Sequence, residues 1–378
     1  METIEVLFWV SAILVAYTYA GYPLLAAALG RLIGTTVRRS PILPRVTVLT
    51  AARNEAEHIR ETVLNKLNQD YPAELLDVIV VSDDSDDGTD EIVESLGERV
   101  RLIRQQPRSG KTEALNRAVP QAAGDVLVFS DANSLYAADT VRNLVANFAD
   151  DSVGYVTGKM VYVTREGSIV GDGCSGYMRY ENWLRVQETQ LASVIGVDGG
   201  VDAIRKSLFR PMRADQLPDF VLPLLVAAEG FRVVYEPTAL LKEQALSSHG
   251  DEYRMRVRVS LRALWALWDL RRLLNPLEYG LLSLQIASHK LLRYFAFVPL
   301  AMLLASSIVL AGQGTLYLTA ALLQVVVYAL ATIGWIRQSG SMLVSVPYYF
   351  LLVNVASAHA AIRFVKGEKQ ATWTPRTG

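Results

Sequence analysis

The chain has 378 residues, with 37 Lys and Arg against 38 Asp and Glu and a formal net charge of −1. That balance lacks the basic footprint of a nucleic-acid partner, a single cysteine (Cys174) forms no intrachain disulfide, and with only four scattered histidines a zinc site is not indicated. Apolar residues make up 51% of the chain and gather at both ends, around a mixed, charged middle, which is the pattern of a membrane protein carrying a folded domain.

The first apolar run, residues 6–30, contains no charged side chain and is long enough to span about 30 Å of hydrocarbon. Its acidic start and its length favour an uncleaved anchor over a secretory signal. Arg31, Arg38, Arg39 and Arg45 follow it and predict that the next region is cytoplasmic.

That region alternates apolar runs with helical patterns: "RVTVLTAARNEAEHI", "LLDVIVVSDDSDDGTDEIVESL", "RVRLIRQQPRSGKTEALNRAV" and "DVLVFSDANSLYAADTVRNLVANF". Such alternation predicts βαβ units and a mostly parallel sheet, with ligands beyond the C-terminal strand ends. Polar clusters sit just there. Asp83, Asp84, Asp86 and Asp87 crowd one turn; an N-cap role for Asp87 at the following helix explains part of this but not Asp83 and Asp84 at the strand tip. Gly110 and Lys111 open a helix as a diphosphate site would, or as an ordinary turn; the earlier glycine of a Walker A loop is missing. Asp131 and Asn133, two apart at a strand end, can reach one hard cation or form an Asx-turn.

Farther on, the pattern at residues 251–274 predicts a basic amphipathic helix lying in a membrane interface. Arg254, Arg258 and Arg262 share one face with Trp265, while Leu261, Leu264 and Trp268 lie beside it. Three more apolar runs follow at 294–311, 316–336 and 342–362. Simple alternation places the tail outside, whereas its positive charge places it inside; a re-entrant or interfacial third run would reconcile the two.

The order "TAARNEAEHI", "VVSDDSDDGT", "GKTEALNRAV", "VFSDAN", "GGVDAIRKSLF", "LPDFVLPLLVAAEGFRVVYEP" resembles family 2 glycosyltransferases of the GT-A fold. The likeness is to the membrane-integral cellulose- and hyaluronan-synthase-like branch and covers residues 46–268. It implies a transmembrane helix and basic flank (1–32), a cytoplasmic α/β GT-A domain with a Rossmann-like, mostly parallel sheet (33–245), amphipathic interfacial helices (246–290), and a C-terminal region of two to three spans with a short tail (291–378). The location it implies is a cell membrane, multi-pass, of bacterial inner-membrane type.

By the same resemblance, Ala52, Glu55 and Asp83 hold the nucleoside, Asp83 at the uracil edge, and Lys111 meets the diphosphate. Asp87 shapes the turn, and Asp84 and Asp86, where the family has Gly and Thr, are solvated extras. Asp131 and Asn133 stand at the D-x-D motif for Mg²⁺ or Mn²⁺, with Asn in the last place. Asp219 is the catalytic base, preceded by Pro218 instead of a second carboxylate; it also reads as the N-cap of the next helix. Gly199 and Gly200 let the backbone approach the acceptor sugar, with Asp198 and Asp202 as hydroxyl partners, Asp202 standing where the family often has an aromatic. The family's Q-x-x-R-W motif is absent; Arg258 is the substitute for its diphosphate contact and Trp265 for its acceptor platform.

The implied activity is inverting, metal-dependent transfer from a nucleotide sugar, a UDP-sugar by resemblance, to a growing polysaccharide or lipid-linked glycan. The implied partners are donor, acceptor, membrane lipid and, for a channel, an oligomer or export complex; no nucleic acid is among them. One alternative is transfer of a single sugar to a polyprenyl phosphate. Another is a non-catalytic nucleotide- or glycan-binding subunit of a polysaccharide synthesis complex, favoured by Asn133 and Pro218 and opposed by the joint presence of Asp83, Lys111, Asp131 and Asp219. A transporter is disfavoured because the runs show neither an internal repeat nor a buried charge pair.

Overall fold

A computed structural model describes residues 1–163, 173–244, 249–337 and 341–370. The end of the tail and the boundary at 245–246 lie outside the described residues. The chain divides into two compact units: an α/β unit of residues 33–169, 188–245 and the tail from 369, and a helical unit of residues 1–32, 170–187 and 246–368.

The α/β unit is built on an eight-stranded sheet: β1 Val46–Ala52, β2 Leu76–Asp83, β3 Val100–Gln105, β4 Val126–Asp131, β5 Leu135–Tyr136, β6 Val153–Val163, β7 Asp202–Arg205 and β8 Arg232–Gln244, in the order β3-β2-β1-β4-β7-β6-β8-β5. β1 to β4 are mutually parallel, as the βαβ pattern predicts. The sheet then becomes mixed, because β7 runs antiparallel between β4 and β6 and β5 runs antiparallel on β8. Every residue of β1 is buried, as a strand with cover on both faces must be. Val46, Val48, Val78, Val80, Val126 and Val128 share a core with Ile59 and Val63 of the helix Ile59–Leu67. Each such valine contributes roughly 1.5–3 kcal/mol by leaving water.

Register places the site. Ala52 pairs with Ser82, and Ala51 with Asp131. The C-terminal ends of β1, β2 and β4 are therefore level, and Ala52, Asp83 and Asp131 come to one edge of the sheet.

Among the described residues of the helical unit, three helices are long and apolar enough to cross a membrane: Glu2–Ile33, Thr315–Arg337 and Met342–Val365. The run expected at 294–311 belongs to a pair, Leu281–Tyr294 and Phe297–Gln313, bent by 59°. Close approach is built in at Gly334, where an added Cβ would lie 2.6 Å from the Val344 carbonyl oxygen and 2.9 Å from the Tyr348 Cβ. Backbone cannot yield as a flexible side chain can. Gly334→Leu is therefore expected to lower the detergent-solubilised protein's thermal midpoint, and Gly312→Leu, which meets open space, to leave it unchanged.

The arginine-rich helix runs His249–Asp269, followed by a 3₁₀ turn Arg271–Leu274. Its stripe Val257, Leu261 and Leu264 is buried with Ala356, Ala360 and Ala361 of Met342–Val365. Much of the face expected to meet lipid is thus covered by protein, because the small side chains of the partner helix allow close contact. The helical unit also contains a charge pair that the apolar runs concealed. Arg293 binds Glu181 and lies 3.1 Å from the Tyr180 hydroxyl, and both charged side chains are largely buried. Glu181 comes from a helix 112 residues earlier, so no local pattern announces it.

Candidate active site

Crowding of aspartates after β2 is resolved by four separate arrangements. Asp83 is fully buried and accepts from Gln105 Nε2 at 2.6 Å, Ser109 N at 2.7 Å and Gly110 N at 3.0 Å. Its carboxylate thereby holds the loop that delivers Lys111. Asp84 lies 3.7 Å from Arg53. Asp86 and Asn54 bond reciprocally, through Asn54 Nδ2 at 2.8 Å and Asp86 N at 3.1 Å. Asp87 accepts from Ala56 N at 2.9 Å, Thr89 N at 3.0 Å and Thr89 Oγ1 at 2.5 Å. Although partial burial opposes it, these bonds hold the Asp87 carboxyl below its ordinary value. One expectation is corrected here, that of the helix N-cap. Asp84 and Asp86 are solvent-accessible as expected and are also paired, whereas the N-cap position of the helix Thr89–Glu94 is Gly88, with Asp87 bonding from one residue before it.

Ala52 ends β1, buried, and Glu55 follows in the turn, where Thr89 Oγ1 accepts from Glu55 N at 2.9 Å. The two βα turns that the sequence reading assigned to the nucleoside are thus stitched together.

Lys111 opens the helix Lys111–Ala118. Its ammonium lies 2.7 Å from Asp131 Oδ1 and 3.8 Å from Asp219 Oδ1. Burial opposes that charge, but Asp131 and Asp219 outweigh it and hold the Lys111 pKa above the ordinary lysine value. Asp219 is the second residue of the helix Pro218–Ala228, whose N-cap is Leu217. Its expected N-cap role is therefore corrected: Pro218, with its fixed φ and no N–H, starts the helix two residues sooner.

Gly199 and Gly200 complete this centre. Both adopt left-handed backbone, φ +72° and +73°, which glycine alone accepts without strain. An added Cβ on Gly199 would lie 2.7 Å from Asp219 Oδ2, and one on Gly200 3.0 Å from Asp131 Oδ2. Asp202 lies beneath, fully buried, paired in register with Phe129 and Thr157. The Thr157 and Tyr155 hydroxyls lie beside its oxygens, but without strict hydrogen-bond geometry. Burial first, and then the Asp219 carboxylate, push the Asp202 carboxyl up to about 8.

Chain positions far apart thus converge: Lys111, Asp131, Gly199, Gly200, Asp202 and Asp219 form one centre. Asn133 stands two residues past Asp131 in the turn after β4, with its side chain partly exposed. Arg258 and Trp265 belong to the helical unit. There Trp265 packs on Phe364 with ring centres 4.6 Å apart, and its indole N–H donates to the Glu368 carbonyl at 2.7 Å. Sequence reasoning missed Gln105, Lys66 and Tyr136. Nothing local marks Gln105, but a lysine inside the apolar stripe of Ile59–Leu67 was a readable anomaly.

Among the described residues no three His, Cys, Asp or Glu side chains group to hold a cation. The oxygen donors after β4 are the Asp131 carboxylate, which pairs with Lys111 at 2.7 Å, and the Asn133 amide oxygen. Both are hard oxygens suited to Mg²⁺ or Mn²⁺, and they fit a cation whose remaining ligands come from a bound diphosphate.

A parallel half-sheet with stitched turns, a lysine at a helix start and carboxylates at a glycine turn define an α/β domain of GT-A type. Residues 47–186 match the family model Glycosyl transferase family 2. It is similar to the beta-monoglucosyldiacylglycerol synthase of Trichormus variabilis, 27% identical over 169 residues covering 43% of this chain and 36% of the relative. It is also similar to the poly-beta-1,6-N-acetyl-D-glucosamine synthase of Staphylococcus aureus, 27% identical over 224 residues covering 57% of this chain and 54% of the relative. The matches thus span about half or less of these relatives' lengths. Among solved structures, a mannosyltransferase from Pyrobaculum calidifontis in complex with GDP-Man and Mn²⁺ shares the fold, with TM-score 0.72, 24% identity and coverage of 96% of this chain and 99% of that one.

Proposed function

We propose that the protein is an inverting, metal-dependent membrane glycosyltransferase that moves a sugar from a nucleotide sugar to a lipid-linked or polysaccharide acceptor, forming a β-linkage from an α-linked donor. The observation that carries this reading is the convergence of Lys111, Asp131 and Asp219 on the Gly199–Gly200 turn. Donor binding falls to the stitched turns with Ala52, Glu55 and Asp83, the last acting through the loop it holds. Asp131 and Asn133 would hold the cation, which when bound neutralises charge on the departing diphosphate. Lys111 supplies a fixed positive charge to the same group. Asp219 accepts the acceptor hydroxyl's proton as that oxygen attacks the anomeric carbon opposite the diphosphate. The glycine turn lets the backbone approach the sugars, with Asp198 and Asp202 as hydroxyl partners, and Arg258 and Trp265 are the contacts assigned to the helical unit. The apolar helices support a multi-pass membrane location with a cytoplasmic α/β domain.

The test is release of nucleoside diphosphate by the full-length protein in detergent, from UDP- and GDP-sugars with Mn²⁺ or Mg²⁺, with and without native lipid. Release with one donor is expected, with dependence on lipid if the acceptor is lipid-linked, and EDTA is expected to stop it. Turnover unaffected by EDTA would overturn the roles of Asp131 and Asn133. Nucleotide binding without release from any donor, even with lipid, would favour the non-catalytic reading.

A further inference from the structure

Behind the turn that carries Asp131 and Asn133 lies a lysine with no contact with solvent. Lys66, on the helix Ile59–Leu67, is fully buried. Its ammonium donates to the Ser134 carbonyl at 2.5 Å and to Asn65 Oδ1 at 3.1 Å, and lies 3.8 Å from the centre of the Tyr136 ring. Asn65 grips the same segment from the side: its Nδ2 donates to the Tyr136 carbonyl at 2.9 Å, and Tyr136 N donates to its Oδ1 at 2.7 Å. Tyr136 then reaches the centre. Its hydroxyl lies 2.9 Å from the Phe129 carbonyl and 2.7 Å from the Gly200 carbonyl, and Gly200 abuts Asp131 Oδ2.

A bare ammonium inside a core is costly unless it is compensated. Here a carbonyl, an amide oxygen and an aromatic face compensate it, and all three belong to or hold residues 134–136. A leucine or methionine would fill the same space without fixing Ser134. We propose that the Lys66 ammonium is a positioning group for the Asp131–Asn133 turn, fixing it through the Ser134 carbonyl and the Tyr136 ring so that both oxygen donors face one divalent cation. This rests on the reading of Asp131 and Asn133 as cation ligands.

Burial lowers the Lys66 pKa to about 7, against the opposing pull of Asp131. Asp131 on β4 and the Tyr136 phenol on β5 are the titratable groups that face it. The ammonium is therefore mostly present at pH 6.5 and mostly lost at pH 8.5. Metal ligands ordinarily bind better as pH rises and their protons leave, so an effect that fades with rising pH marks the lysine.

The experiment measures Mn²⁺ binding by electron paramagnetic resonance on the full chain in detergent, with UDP or GDP present, at both pH values. The proteins compared are the wild type, Lys66→Met, and Val63→Ala, a buried position one turn earlier on the same helix. Lys66→Met is expected to bind Mn²⁺ about tenfold more weakly than the wild type at pH 6.5, equivalent to one residue supporting a metal ligand, with the gap narrowing at pH 8.5. Nucleotide affinity without metal is expected to be unchanged, and Val63→Ala to bind Mn²⁺ as the wild type does. Equal binding by Lys66→Met at pH 6.5 or an equal loss in Val63→Ala would overturn the proposal. Failure of the underlying reading looks different: Asp131→Ala would then bind Mn²⁺ as well as the wild type.

Discussion

Asp219→Asn is expected to reduce sugar transfer by a factor of about 10²–10⁴, the range a single general base contributes, while donor binding stays close to that of the wild type. Asparagine keeps the shape of the side chain and its place as second residue of the helix Pro218–Ala228, but cannot take up a proton from the acceptor hydroxyl. Binding should survive because the groups assigned to the nucleotide are elsewhere: the two stitched turns, the Lys111 loop and the Asp131–Asn133 turn. Lys111 keeps Asp131 at 2.7 Å as its nearer partner, and Asp219 is the more distant at 3.8 Å. The measurement is turnover and nucleotide affinity on one preparation. Full activity in Asp219→Asn would remove Asp219 from the role of base, and parallel loss of both quantities would make it a binding residue.

Gly199→Ala is expected to have the second large effect, through two causes that a control can separate. The new methyl must hold left-handed backbone, at a cost of about 1–3 kcal/mol for a non-glycine residue. It must also enter space where Asp219 Oδ2 stands 2.7 Å away, so the carboxylate has to move. A displacement of about 1 Å at a reacting group can cost roughly a hundredfold in rate. Gly88 has the same hand, φ +94°, but open space around it. Gly88→Ala should therefore lower the thermal midpoint with little change in turnover, whereas Gly199→Ala should lower both. Equal activity in the two variants would show that the clash with Asp219 is relieved without consequence.

Some of this centre was legible in the chain and some was not, for physical reasons. β1, β2 and β4 are buried on both faces, so continuous apolar runs and the polar residues ending them mark strand tips directly. Lys111, Asp131 and Asp219 were each readable at such tips or helix starts. Their mutual distances were not, because they depend on the parallel register of β1 with β4 and on the glycine turn ahead of the antiparallel β7. That reversal had no signal of its own, since four residues, Asp202–Arg205, are too few for a periodicity. The helix boundary at Asp219 was misplaced because Pro218 sets the start by covalent geometry, whereas capping preference had suggested the carboxylate. Glu181 was invisible as the partner of Arg293 because a long-range ion pair leaves no spacing in the sequence.

The stitching between the turns after β1 and β2 has a consequence for motion. Asn54 and Asp86 exchange two bonds, Asp87 holds Ala56, and Thr89 holds Glu55. Neither turn can open to solvent without releasing the donors and acceptors of the other, so local unfolding there is a single cooperative event. The amide protons of Glu55, Ala56 and Asp86 belong to that unit and exchange with solvent through one shared opening, which a nucleotide bound across both turns would close as a whole.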